Sequence, residues 1–162
     1  MDSGLVMYEE EFDRLTRLLN RLRMDASAKI VFLVDKNGQQ IAGAGDIDLI
    51  DTTSLASLTA GNVAATDGLA KLIGEKEFSI LFHEGRKDNI HISIVGQRLI
   101  LVVIFDERSS LGLVRLRVRK ASADIERVLG EMEAKAQQAG AGDITSPFAE
   151  ITDDDIDALF SE

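Results

Sequence analysis

No cysteine occurs among the 162 residues, which removes disulfide scaffolds, zinc ribbons and thiol catalysis and suits a reducing compartment. Long apolar runs are missing too. The longest, Leu99–Phe105 (LILVVIF), is far too short to span a bilayer. The start, MDSGLVMYEEEF, lacks the basic and apolar regions of a secretory signal, so a cytoplasmic protein is expected. Positive charge is scarce: Lys and Arg number 18 against 28 acids, and the net charge of −10 argues against non-specific nucleic-acid binding. From Asp143 onward there are seven acids and no base, which leaves −3 for the first 142 residues. The acidity belongs to the tail, and the body is nearly balanced.

Catalytic constellations are missing as well. There is no G-x-x-x-x-G-K-[ST], and GNVAATDGLAK has the wrong spacing for a phosphate loop. No serine sits in G-x-S-x-G. Asp35-Lys36-Asn37-Gly38 begins like a calcium loop but the ligand pattern fails after Asn37, so a hairpin turn is expected. His83 and His91, the two histidines, fall in or beside separate strands and are too few for a metal site of their own. Neither a catalytic residue, a cofactor nor a metal is expected.

What is present supports one substantial core, 45 % of the chain being hydrophobic. Tyr8, Phe12, Leu15, Leu19, Leu22 and Ala26 step by three and four, an amphipathic helix. KIVFLVD (Lys29–Asp35) and QQIAGAG read as a hairpin. A long helix follows, capped by Asp51 or Thr52. Phe78–Phe82, Asn89–Val95 and Arg98–Phe105 form an antiparallel meander, joined by EGRKD and the Gly96–Gln97 turn. LILVVIF is apolar throughout, so both faces of its sheet must be covered. In Ser109–Ala139 the alternation at Arg115–Arg119 suggests a strand, but Leu111, Val114, Val118, Ala121, Ile125, Val128 and Met132 keep a three-four spacing and predict a helix. The order is α-ββ-α-βββ-α: an α+β sandwich with a five-stranded antiparallel sheet and helices on both faces. The expected divisions are a folded body 1–139, a linker 140–151 and an acidic helix 152–162.

The central helix has almost no charged face. Leu55, Leu58, Leu69, Leu72 and Ile73 are expected to pack on the sheet, while Ala56, Ala60, Ala64 and Gly68 repeat every four residues as a ridge of minimal side chains. Gly61 and Gly68 each cost about 1 kcal/mol relative to Ala in a helix, and Asp67 is the single charge between Thr52 and Ala70. The ridge is expected to meet a partner's surface; a tight spot within its own fold is the alternative. In the tail, Thr152 and Asp155 resemble a capping box, Ile151 and Ile156 a staple, and Ile156, Leu159 and Phe160 make one apolar edge. That pattern suits a tethered docking peptide better than a solubilising tail. Arg14, Arg115, Arg119 and Lys120 would form a basic patch for a second partner if the first and last helices lie side by side; an ordinary charged surface is the alternative.

VMYEEEF, VFLVDKNGQ, IDTTSLASLTAGNVAA, GLAKLIGE, LVVIFDERSSLGLVRLR and SPFAEITDDDIDALFSE together resemble the Roadblock family, relatives of longin domains, over about Val6 to the C-terminus. The resemblance implies a homodimer with sheets joined edge to edge, the central helices paired on one face and the four first and last helices on the other. It implies a regulator of a small Ras-like GTPase of the MglA type, acting in cell polarity and gliding motility, and concentration at a cell pole. Such a regulator activates hydrolysis without an arginine finger, one GTPase per dimer. Ala64 and Gly68 are then placed against the GTPase, and Ile156, Leu159 and Phe160 in a tail helix tied to nucleotide exchange. The alternative function is a dimeric scaffold that positions a GTPase or polarity complex without altering catalysis.

Overall fold

The computed structural model describes residues 8–142. Its elements are α1 (Glu9–Asp25), β1 (Ile30–Asp35), β2 (Gln40–Gly45), α2 (Thr52–Leu72), β3 (Ile80–Glu84), β4 (Asn89–Val95), β5 (Leu99–Phe105) and α3 (Leu111–Gly142), with one 3-10 turn at Ile47–Leu49. The order agrees with the sequence reading. The strands form one sheet in the order β2-β1-β5-β4-β3, every pairing antiparallel. The third strand starts at Ile80, two residues later than expected. The last helix runs to Gly142, so the expected linker start at 140 falls within its final turn. Among the described residues, no helix is long and apolar enough to cross a membrane.

β5 lies at the centre and is buried along its whole length, as its unbroken apolar run predicts. Residues on one side of the pleat (Val31, Leu33, Leu101, Val103) pack against the apolar stripes of α1 and α3: Leu15, Leu19 and Leu22 from the first, Val114, Val118, Ile125 and Val128 from the second. Residues on the other side (Ile30, Phe32, Val34, Ile100, Val102, Ile104) pack against α2. Each fully buried Leu, Ile, Val or Phe contributes roughly 1.5–3 kcal/mol of hydrophobic stabilisation. Both layers are needed to cover β5.

Local chemistry sets the ends. Asp51 caps α2 by accepting from the Ser54 N–H at 3.1 Å, and Ser110 caps α3 by accepting from the Leu113 N–H at 3.2 Å. The Asp35 carboxylate accepts the Asn37 and Gln39 N–H groups, both at 2.9 Å, and Gly38 adopts φ +92°. The segment that begins like a calcium loop is therefore a hairpin turn whose carboxylate serves its own backbone.

Candidate functional site

The central helix sits on its sheet by a different face from the one its leucines suggest. Ala56, Ala60 and Val63 are buried against the sheet, and Thr59 and Ala70 are buried as well. Leu58 is 71 % exposed, Leu69 57 %, Leu72 83 % and Ile73 69 %, and only Leu55 of the expected stripe packs against the core. The expectation that Leu58, Leu69, Leu72 and Ile73 pack on the sheet is thus corrected. The physical reason lies in the strands. They present Phe32, Ile100, Val102 and Ile104 toward the helix, and small helical side chains let the two backbones close over those larger ones. A Cβ added at Gly38 in the β1–β2 turn would stand 3.2 Å from Ser57 Cα and 3.7 Å from Ala60 Cβ. Ala56 and Ala60 therefore serve a tight spot within their own fold, and their side chains are turned away from any partner. This corrects the reading of the whole ridge as an interface.

The other half of the ridge stays at the surface. Ala64 and Gly68 are exposed, and no described residue lies within 4 Å of a Cβ built on Gly61 or Gly68. Asp67 is half-buried. At 100° per residue, Leu58, Gly61, Ala65, Gly68, Leu69 and Leu72 fall on one outward face, and none of them is charged. That face is the candidate site. It combines leucine anchors with stretches of bare backbone, where a surface helix of this length ordinarily carries Lys and Glu. Sequence reasoning missed Leu58, Leu69 and Leu72 as surface residues. The available signal was their own spacing, which places them with the glycines at least as well as with the sheet.

At the N-terminal end of α2 the face continues into an apolar cavity of about 590 Å³ between Leu49, Ile50, Leu55, Leu58, Ile90 and Ile104. Leu49 stands at its rim, exposed, in a segment the sequence reading left without a role. The rim also carries the Lys29–Asp88 ion pair, 3.1 Å, and Asp51. The Ser54 hydroxyl donates to Asp51 at 2.6 Å. With the Ser54 N–H, it holds the Asp51 carboxyl below its ordinary value.

The four-residue basic patch does not assemble as one unit. α1 and α3 do lie side by side, but antiparallel, so Arg14 meets Glu131 and Lys135 meets Glu11. Hydrogen bonding from Arg14 keeps the Glu131 carboxyl below its usual range. Lys120 lies eleven residues before Glu131, roughly 16 Å along the helix axis. Arg115, Arg119 and Lys120 are exposed near the start of α3, away from Arg14. Arg14 keeps different company, bordering a cavity of about 480 Å³ with Arg17, Arg21 and Arg127. The tail residues Ile156, Leu159 and Phe160, and the expected docking helix 152–162, lie outside the described residues.

Residues 15–105 match the Roadblock/LC7 domain. Among solved structures, Myxococcus xanthus MglB is 62 % identical, with 79 % of this chain and 96 % of that one covered and a TM-score of 0.75. The gliding protein MglB of Thermus thermophilus is 31 % identical over 81 % of this chain and 99 % of that one, TM-score 0.74. An MglB with a tetrameric arrangement is 30 % identical over 82 % and 99 %, TM-score 0.74. Comparison with curated protein sequences returns no match. The matched domain, the shared order of elements and the identity to MglB agree: the chain belongs to the Roadblock/LC7 family and is an MglB-like member of it.

Proposed function

We propose that this protein regulates a small Ras-like GTPase of the MglA type, accelerating its GTP hydrolysis in a polarity or gliding-motility system. The observation that carries the reading is the 62 % identity to Myxococcus xanthus MglB across 96 % of that chain. The active unit is a homodimer. Its α2 helices pair through the uncharged outer face, and its sheets join through β3, a regular edge strand whose second side is free in the strand order. One GTPase docks on the surface formed by the two α2 helices, against Ala64 and Gly68, where minimal side chains permit close backbone approach. The tail, through Ile156, Leu159 and Phe160, docks elsewhere on the GTPase and affects nucleotide exchange.

No residue of this chain enters the hydrolytic centre in this reading, and no arginine finger is supplied. The regulator binds one GTPase conformation better than another and so shifts its population. The rate gain comes from the GTPase's own groups, held where charge develops on the transferring phosphoryl. Single-turnover GTP hydrolysis by the cognate GTPase, with and without this protein, tests it. A saturable acceleration is expected. Tight binding with an unchanged rate would sink the activator reading in favour of a dimeric scaffold.

A further inference from the structure

β4 carries two buried polar side chains that the fold leaves unpaired. Among the described residues, His91 is 1 % exposed and neither ring nitrogen has a hydrogen-bond partner; Ser93 is buried and its hydroxyl also has none. Buried polar atoms are almost always partnered, because water is lost and nothing replaces it. Register places both residues on the α3 face, His91 opposite Phe82 and Val103, Ser93 opposite Ile80 and Leu101. Within one protomer both border a cavity of about 210 Å³ between α3 and the β3–β4 edge, the edge at which the proposed dimer joins its sheets. From α3 the cavity receives Arg115, Arg119 and Ser122. The two arginines are one helical turn apart on the same side. Neither forms an ion pair with any described residue. Among the described residues, no carboxylate lines the cavity.

Two guanidinium forks, three serine hydroxyls (Ser79, Ser93 and Ser122) and an imidazole around one small space are the donor set of an oxyanion site. We propose that this cavity binds a small tetrahedral oxyanion, inorganic phosphate, held by Arg115 and Arg119 at its mouth and by His91, Ser93 and Ser122 within. The cavity, about 210 Å³, has room for one phosphate. Burial, and then the charge of Arg115, hold the unliganded His91 below its ordinary value of 6.5. The groups facing it from β3 and β5, Phe82 and Val103, carry no charge, so the arginines of α3 set the local field. An anion between them reverses that field and favours the imidazolium, in which both nitrogens donate. Binding therefore takes up a proton and tightens as pH falls through the raised value of the bound imidazole.

The test is a phosphate titration of the full chain at constant ionic strength, followed by the imidazole resonances in NMR. Only two histidines contribute. His83 is exposed, hydrogen-bonded to Asn62 at 2.9 Å and opposite Ile90 on the other face of the sheet, so it serves as the internal control. A saturable shift of His91 alone, with a rise in its apparent pKa, is expected. Arg119→Ala, at an exposed position, should weaken phosphate binding roughly tenfold or more, and Ser93→Ala should also weaken it. Tighter binding of inorganic phosphate than of O-phosphoserine supports a free-ion site; the reverse order overturns it. A His91 signal that ignores phosphate while still titrating with pH overturns the proposal, as do equal shifts of both histidines or wild-type affinity in Arg119→Ala.

Discussion

Replacing both outer-face glycines of α2, Gly61→Ala with Gly68→Ala, should move stability and assembly in opposite directions. Both residues lie inside a 21-residue helix, and a Cβ at either meets nothing within 4 Å in the protomer. The substitution restricts the unfolded chain and removes poor helix formers, so the pair should stabilise the isolated protomer by about 1–2 kcal/mol. For a chain of this size that is a Tm increase on the order of 5 °C. At a close-packed α2–α2 contact the same methyls become overpacking. At the low end of about 1 kcal/mol each, the four in a symmetric dimer cost on the order of 4 kcal/mol, roughly a thousandfold in Kd. Sedimentation equilibrium reads the second effect. Thermal melting in a Leu72→Lys background, which places a charge on the same face at an 83 % exposed position, reads the first without dimer coupling. An unchanged Kd in the double variant would refute close backbone approach on this face. A lower Tm in the monomeric background would show that the space above the glycines is not open.

The remaining expectations are more local. Ala56→Leu should destabilise the fold by about 1–3 kcal/mol, read by urea denaturation, because it overpacks the contact with Phe32 and its neighbours. Ala64→Arg, at an exposed position outside the paired face, should leave the melting curve nearly unchanged but block GTPase docking; wild-type affinity in a titration would count against the proposed surface. Asp51→Ala should lower Tm at neutral pH. Since the folded carboxyl titrates below its ordinary 3.8, the cap's contribution is fully present above that value and is lost as pH falls through the lower folded pKa, so wild-type and variant melts should converge in acid. Deleting residues 153–162 should weaken GTPase binding without lowering Tm; a large loss of stability would instead make the tail part of the core.

The order of elements, the antiparallel pairing and the need for helices on both faces were legible in the chain. Those follow from short-range patterns: the Asn37–Gly38 and Gly96–Gln97 turns, the unbroken apolar run of β5, and the three-four spacing that outweighed the alternation at Arg115–Arg119. The chain also carried enough identity of residues, in the central helix and the tail, to indicate the family. The direction α2 faces was settled by packing. The helix offers two usable stripes, one of leucines and one of small residues, and periodicity ranks them equally. The choice depends on what the sheet presents, and large side chains such as Phe32 and Ile100 admit Ala56 and Ala60 while leaving Leu58, Leu69 and Leu72 outside. The same holds for the basic residues. Spacing gives the side of a helix a residue occupies but not its neighbours across a helix pair. The antiparallel docking of α1 on α3 gave Arg14 to Glu131 and left Arg115 and Arg119 beside His91.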